Sequence, residues 1–368
     1  VKKQFTYAET GVDREVRAES KKALSLLKQT YKFSRYGKVL TLPYGNVFPF
    51  GKDLFLDLQV EGVGTKVLVA ELAQKYDTIG IDAVALAVND LIRSGAKPIA
   101  LADNIHAQIS DPKLVREWLK GIVKGAVESE CIVPSGEIGD VPEVVKGLTE
   151  GKGFDMVVAT IGEVHRNKVI LGNHIKAGDA VIGLRSSGIH SNGISLARKV
   201  LFKQWGGKYE AFDVPEGFDR EIISEILEPM EIYVKPFLRL AEKFEIKGAV
   251  HITGDAYLKF DRLMAFNKGI GFEFSYFKPQ PIFKLIQETA RQIKGVISDE
   301  EMFKTFNMGW GFAIVVDEKI KNQATDLLQG KGVETAQIGK VTGLGKIVVK
   351  HGGKKMVLSR QLNTFRKI

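Results

Sequence analysis

Apolar and polar positions alternate along this chain in two different rhythms. Leu54 to Val60 (LFLDLQV) switches at every residue, the period of a half-buried strand, while Met156 to Ile161 (MVVATI) and Ala180 to Leu184 (AVIGL) are apolar runs of strand length. Elsewhere the period lengthens: Ile79 to Ser94 (IGIDAVALAVNDLIRS) and Pro112 to Val127 (PKLVREWLKGIVKGAV) have the length and spacing of helices. Strands and helices interleaved in this way predict an α/β or α+β chain. The polar turn NHIKAGD at 173–179 separates the first half's closing run from a new strand. Two domains are therefore expected, at 1–172 and 173–350, with a basic tail at 351–368.

Composition narrows the class further. With 44% hydrophobic and 26% charged residues over 368 positions, the balance is that of a globular protein. No apolar run approaches the roughly 20 residues of a membrane span, so no membrane partner is expected. The one cysteine, Cys131, excludes an internal disulfide, and VKKQFTYAETGVDREVRAES has no apolar stretch behind its lysines; the expected location is the cytoplasm. The formal charge of +9 is spread along the chain, which argues against a nucleic-acid partner and suits a polyphosphate substrate. Its densest patch, GGKKMVLSRQLNTFRKI, reads as a solvated tail. The six histidines are scattered, with no HExxH and no CxxC, so a structural zinc site is not expected.

Several short stretches carry candidate chemistry. In VEGVGTK, 60–66, Gly62 and Gly64 free the backbone for a sharp turn, Thr65 and Lys66 offer a hydroxyl and a cation, and Glu61 adds a carboxylate. That set suits a phosphate with its magnesium ion, although a plain turn into a helix uses the same letters. On the helix at 79–94, Asp82, Asn89 and Arg93 lie along one face with Asp90 beside them, among Ala, Val, Leu and Ile. A buried carboxylate needs a cation or donors, so Asp82 and Asp90 either face a metal and nucleotide or keep a stripe toward solvent. IVPSGEIGD, 132–140, runs a strand into Ser135, Gly136 and Glu137, and such loops serve both sites and surface turns.

The loop RSSGIHSNGIS, 185–195, joins a strand to a helix, so Ser191, Asn192 and Gly193 stand at the helix start. A cap explains Ser191 or Asn192, and exposed amides there favour an anion; neither explains His190, placed to donate a hydrogen bond or shuttle a proton. HITGDAYLKF offers Thr253 and Gly254, and MFKTFNMGWGFAIVV offers Asn307, each also readable as turn chemistry. There is no GxxxxGK[ST] and no GxSxG, so a nucleotide site would not be a P-loop.

Taken together, VEGVGTK, YDTIGIDAVALAVNDLIRSGAKP, SGEIGDVP, KAGDAVIGLRSSGIHSNGISLARKVL, LEPMEIYVK, HITG and EMFKTFNMGWGF resemble, in order and over most of the chain, the phosphoribosylformylglycinamidine cyclo-ligases (aminoimidazole ribonucleotide synthetases). The resemblance implies an AIR-synthase-like fold: an N-terminal mixed sheet with helices that pairs across a homodimer, a C-terminal α/β domain, and an active site in the cleft between domains. It also implies the activity, an ATP- and Mg²⁺-dependent ring closure of formylglycinamidine ribonucleotide to 5-aminoimidazole ribonucleotide in purine biosynthesis. By this resemblance Glu61, Asp90 and Glu137 are the metal candidates, and Gly62, Gly64, Thr65 and Lys66 meet the phosphates, supported by Asp82, Asn89 and Asp103. His190, Asp90 and Lys66 are the catalytic candidates; Ser187, Gly188, Ser191, Asn192, Thr253 and Asn307 are those for the nucleotide substrate.

Three positions depart from the family pattern. Glu61 stands where Asp is usual, Asp255 and Ala256 replace two glycines of HITGGG, and RYGKVLTLPYGNVFPF occupies the place of a glycine-rich segment. The departures keep two alternatives open: a superfamily enzyme using ATP on another small substrate, as thiamine monophosphate kinase does, and a non-catalytic nucleotide-binding subunit.

Overall fold

The computed structural model describes residues 3–11 and 13–359. Two sheets organise them. The first has six strands in the spatial order Leu40–Leu42, Gly45–Phe50, Leu54–Gly62, Phe154–His165, Lys97–Ala107 and Ile132–Asp140, antiparallel except for the last pair. Helices Asp77–Ile92 and Pro112–Ser129 cover one of its faces. The second helix starts where Pro112 fixes the first turn and the Asp111 carboxylate accepts the Lys113 amide at 2.8 Å. The two helices meet backbone to backbone: a Cβ on Gly80 would lie 2.4 Å from the Ile122 nitrogen.

The second sheet has seven strands, ordered Lys354–Leu358, Ile347–His351, Gly271–Phe274, Thr335–Thr342, Ala180–Arg185, Trp310–Val316 and Gly248–His251. Its middle strands are covered on both faces, which is why AVIGL and WGFAIVV read as unbroken apolar runs. Tyr257, Phe260, Phe272, Phe274 and Phe303 build the aromatic part of its core. The chain changes sheets between His165 and Ala180.

Two expectations about the ends are corrected. Residues 351–358 of the expected basic tail complete a hairpin, with Val348 opposite Val357, because alternating apolar residues there cover the sheet edge; residues 360–368 lie outside the described residues. The opening residues do not join the first sheet. Strand Lys3–Gln4 pairs in parallel with Gly295–Val296, and Arg14 binds Glu301, the Lys304 carbonyl and Thr305, so this arm docks on the second unit.

The alternating strand Leu54–Gly62 carries a reversal. Phe55, Asp57, Gln59 and Glu61 face the helices, while Leu58 and Val60 are 53% and 59% exposed on the opposite face. In register beside Leu58 stand Ile161, Ala100 and Ile132, a row of apolar side chains crossing the sheet. Among the described residues, no helix is long and apolar enough to cross a membrane.

Candidate active site

The junction between the two units is built by the polar stripe on helix Asp77–Ile92. Lys66 and Asp82 form an ion pair at 2.7 Å with both side chains fully buried. Lys66 also donates to the Glu228 carbonyl at 2.8 Å, and Asp82 accepts the Met230 amide at 2.9 Å. One helical turn pair further along, Asn89 donates to the Glu231 carbonyl at 2.8 Å and accepts the Tyr233 amide at 2.9 Å. The segment LEPMEIYVK is thereby strapped to the helix. Lys66, Asp82 and Asn89, expected at the nucleotide, here have their polar atoms on each other and on backbone, and Lys66 is fully buried. Burial pushes the Asp82 carboxyl up, and Lys66 opposes that shift.

Asp90 points to a different neighbourhood. Its Oδ1 meets His251 Nδ1 at 2.7 Å, and its Oδ2 pairs with Arg93 at 2.8 Å. Burial alone would raise the Asp90 carboxyl, but Arg93, Lys259 and His251 hold it well below the usual range. Glu61 shares a hydrogen bond with it; burial first, and the Asp90 charge second, push the Glu61 carboxyl up to about 7. Lys259 donates to the His251 carbonyl at 3.2 Å and to the Thr253 hydroxyl, and burial brings its ammonium down to about 8 against the pull of Asp90. Burial likewise takes His251 down to about 4. Tyr44, at the turn of the first hairpin, donates to the Lys259 carbonyl at 2.9 Å and lies 4.8 Å from the Arg93 guanidinium. A cavity of about 20 Å³, room for a single water, is lined by Tyr44, Asp57, Gln59, Asp90 and Arg93.

The loop after Ala180–Arg185 is held by its own side chains. Ser187 donates to the Pro229 carbonyl at 2.5 Å, while Asn307 donates to the Gly188 carbonyl at 2.9 Å and accepts from Ser186 and the Gly309 amide. Ser187, Gly188 and Asn307 are thus latches of the loop, a correction of the substrate contacts expected of them. Ser191 lies beside the Asp82 carboxyl. His190 is fully buried with φ of 60° and accepts the Ser187 amide on Nε2 at 3.2 Å, so its proton sits on Nδ1. Burial, with His251 and Lys66 adding to it, holds it neutral far below the usual histidine range. Its Nδ1–H is thus left to donate. Gly311 makes room for this arrangement: a Cβ there would lie 2.1 Å from the Tyr233 hydroxyl and 2.5 Å from His190 Cε1.

The buried polar atoms without a hydrogen-bond partner among the described residues include His190 Nδ1, Asn192 Nδ2 and His251 Nε2, which come from the two loops that face the junction. Buried orphans of this kind are rare and call for a ligand or water. On the first unit, Gly62, Gly64 and Thr65 stay exposed at the entry to helix Lys66–Ala73, with Thr65 2.9 Å from Ser195 across the junction.

Two acids do not join the cluster. Glu137 is exposed on the edge strand Ile132–Asp140, three strands from Glu61 and on the outer sheet face, in register with Asn104 and Val157. Asp103, on the buried face of the neighbouring strand, lies against Gly136, its carboxyl raised by burial. The expected metal trio of Glu61, Asp90 and Glu137 is therefore reduced to two within one chain, and no group of three or more His, Cys, Asp or Glu able to hold a metal occurs among the described residues. Arg93, noted in the sequence only as part of the polar face at 79–94, belongs to the cluster, as do His251, Lys259 and Tyr44, which were not among the sequence candidates. A histidine and lysine eight residues apart carry little signal until the short helix Ala256–Phe260 folds one back onto the other.

A two-unit sheet-and-helix fold with a polar junction of this kind defines the class, and the comparisons agree with it. The family model "AIR synthase related protein, N-terminal domain" matches residues 45–164, and its C-terminal counterpart matches 176–352. Thiamine-monophosphate kinase from Stenotrophomonas maltophilia superposes with a TM-score of 0.60 at 13% identity, over 82% of this chain and 87% of that one. A hydrogenase maturation protein HypE in complex with ATP gives 0.57 at 15%, over 86% and 88%, a likeness of fold.

Sequence relatives narrow the class. This chain is 40% identical to the phosphoribosylformylglycinamidine cyclo-ligase of Pyrococcus furiosus over 96% of its own length and the whole of that protein. It is 36% identical to the cyclo-ligase of Bacillus cereus over 94% and 98%. The chain belongs to the phosphoribosylformylglycinamidine cyclo-ligase family of AIR synthase related proteins.

Proposed function

We propose that this chain closes the imidazole ring of 5-aminoimidazole ribonucleotide from formylglycinamidine ribonucleotide, with ATP converted to ADP and phosphate. The γ-phosphoryl group moves to the formyl amide oxygen. The amidine nitrogen then attacks the formyl carbon, and the oxygen leaves with the phosphate. Such a sequence needs fixed donors for developing charge and a dry cleft between two nucleotide-binding surfaces. The observation that carries this reading is the convergence of unpartnered buried atoms from two loops, among them His190 Nδ1, Asn192 Nδ2 and His251 Nε2, at the junction of two units that match the family models.

His190 supplies a neutral Nδ1–H toward the oxygen being phosphorylated. Asn192 donates beside it, and His251, oriented by Asp90, offers a lone pair for the amidine proton. The exposed amides of Gly62, Gly64 and Thr65 take the ATP phosphates. Glu61 and Asp90 would hold a magnesium ion, since a divalent cation would relieve both the burial and the Asp90 charge that push the Glu61 carboxyl up. The ion would supply charge neutralisation on the phosphates. The apolar row of Leu58, Ile161, Ala100 and Ile132 supports a homodimer through the outer sheet face, with Glu137 and Asn104 on that same face. With one cysteine and nucleotide substrates, the place of action is the cytoplasm.

The test is phosphate release from purified protein with Mg·ATP, with and without formylglycinamidine ribonucleotide, following the aminoimidazole product in parallel. One phosphate per imidazole is expected. ATP binding without turnover would turn the reading toward a binding subunit.

A further inference from the structure

Ser187 and Gly188 are committed to latching their own loop, and the junction cations Arg93 and Lys259 are engaged by Asp90, His251 and Thr253, so a seat for the phosphate monoester of the nucleotide substrate is expected beside the junction. A cavity of about 340 Å³, bordered by Asp255 at the end of the His251 loop, supplies one. One wall is the opening arm, where Arg14, Arg17 and Lys21 stand at i, i+3 and i+7 and so share one helical face. The other wall carries Asp255, Asp261 and Arg262. Four cations stand against Asp255, Asp261 and the Glu301 that binds Arg14, which leaves the lining net positive, as an anion such as a phosphate monoester requires.

The arm is held in place from both sides. The Arg14 guanidinium binds Glu301 at 3.1 Å and Thr305 at 2.7 Å, and reaches Asp255 at 3.4 Å. The Tyr7 amide donates to Glu301 Oε1 at 3.1 Å, and the Tyr7 hydroxyl bonds the backbone of Gly193 at the end of the His190 loop. Gly254 of the neighbouring loop approaches Asn192: a Cβ there would lie 3.8 Å from Oδ1. The arm therefore touches the His190–Gly193 loop through Tyr7 and faces the end of the Thr253–Asp255 loop across the cavity. Arg14 is consumed as the anchor, whereas Arg17 is exposed.

We infer that this cavity binds the phosphate monoester of the nucleotide substrate, with Arg17, Lys21 and Arg262 as its cations and Arg14 as the residue that positions the arm. The inference rests on the ring-closure reading for the identity of the ligand but not for the existence of the site.

Two measurements separate the two. In steady state, R17E/K21E is expected to raise KM for formylglycinamidine ribonucleotide at least tenfold while KM for ATP stays within twofold; R17A, a truncation at an exposed position, gives a smaller rise in the same direction. An unchanged nucleotide KM in both variants, or a rise confined to ATP, overturns the proposal while leaving ring closure intact. Calorimetric titration of the full chain with ribose 5-phosphate, without ATP, is expected to show binding that R17E/K21E loses. Should that loss occur in a protein that closes no ring, the anion site stands and the cyclo-ligase reading falls.

Discussion

Asp90 on the first unit and His251 on the second meet at 2.7 Å, with both side chains buried and Arg93 closing the other side of the carboxylate. One carboxylate thus neutralises one neighbouring guanidinium, orients one imidazole and ties two units together. Removing one partner of a buried charge cluster costs about 3–5 kcal/mol. Asp90→Asn is expected to lower unfolding stability by about that amount and to remove measurable turnover. Urea unfolding and phosphate release check the two effects, and a native unfolding midpoint would contradict the geometry.

Lys66 and Asp82 predict the opposite balance of stability and chemistry. Both are sealed, and each also serves a backbone group of LEPMEIYVK. Lys66→Met is expected to destabilise by about 3 kcal/mol or more, since it strands the Asp82 carboxylate. Lys66→Met with Asp82→Leu recovers only part of that loss, because the Glu228 carbonyl and Met230 amide remain unsatisfied. A double-mutant cycle on unfolding free energies measures the coupling. Strictly additive losses would show that the pair does not interact.

Glu61 gives a signed pH dependence. Its carboxyl titrates near 7 in the folded protein against an ordinary value of 4.5, so the folded state keeps a proton that the unfolded chain has lost. The stability this contributes is complete below about pH 4.5 and is lost as pH rises through about 7. The buried His190 and His251, both shifted down, oppose it below about pH 6.5. The informative quantity is therefore the difference between wild type and Glu61→Gln, which should shrink from pH 5 to pH 8 in unfolding experiments. A flat difference would remove Glu61 from the coupled pair. Magnesium–nucleotide binding below pH 7 should also release a proton in wild type and not in Glu61→Gln.

Asp255 and Ala256 stand where the family carries glycines, and both keep the left-handed backbone, with φ of 70° and 40°. A side chain at such a φ is strained by about 1 kcal/mol. Ala256→Gly is expected to raise the unfolding midpoint, by about 1 kcal/mol less the buried methyl. An unchanged or lower midpoint would show that this backbone is comfortable with alanine.

What could be read in the sequence follows from what period and spacing encode. Strand and helix periods are local, so the interleaved elements and the change of sheet near 173–179 were visible, as was the resemblance carried by contiguous motifs. Partners were not. Lys66 looked like a phosphate ligand because nothing local says that Glu228, more than 160 residues on, would cap it. Lys259 and Tyr44 were missed for the same reason, being joined over 215 positions. Charged opening residues gave no sign that Arg14 would anchor to Glu301. The period of two told which residues of Leu54–Gly62 share a face but not which face its own helices cover.

That reversed strand yields the last prediction. Leu58 and Val60 are more than half exposed although the polar Asp57 on the opposite face is buried, an arrangement that makes little sense for a chain alone in water. Ile161, Ala100 and Ile132 extend the apolar row across three further strands in register. A second copy presenting the same row by two-fold symmetry would bury both. Leu58→Asp with Ile161→Asp places two carboxylates in the middle of that contact. Each would have to be desolvated in the dimer but stays hydrated in a monomer, a difference of several kcal/mol per copy pair. Light scattering after gel filtration is expected to report a dimer for the wild type and a monomer for the double variant, with the far-ultraviolet circular dichroism spectrum unchanged because neither side chain supports its own fold. A wild type that elutes as a monomer, or a double variant that still dimerises, would place the contact elsewhere and leave the outward leucines without a partner.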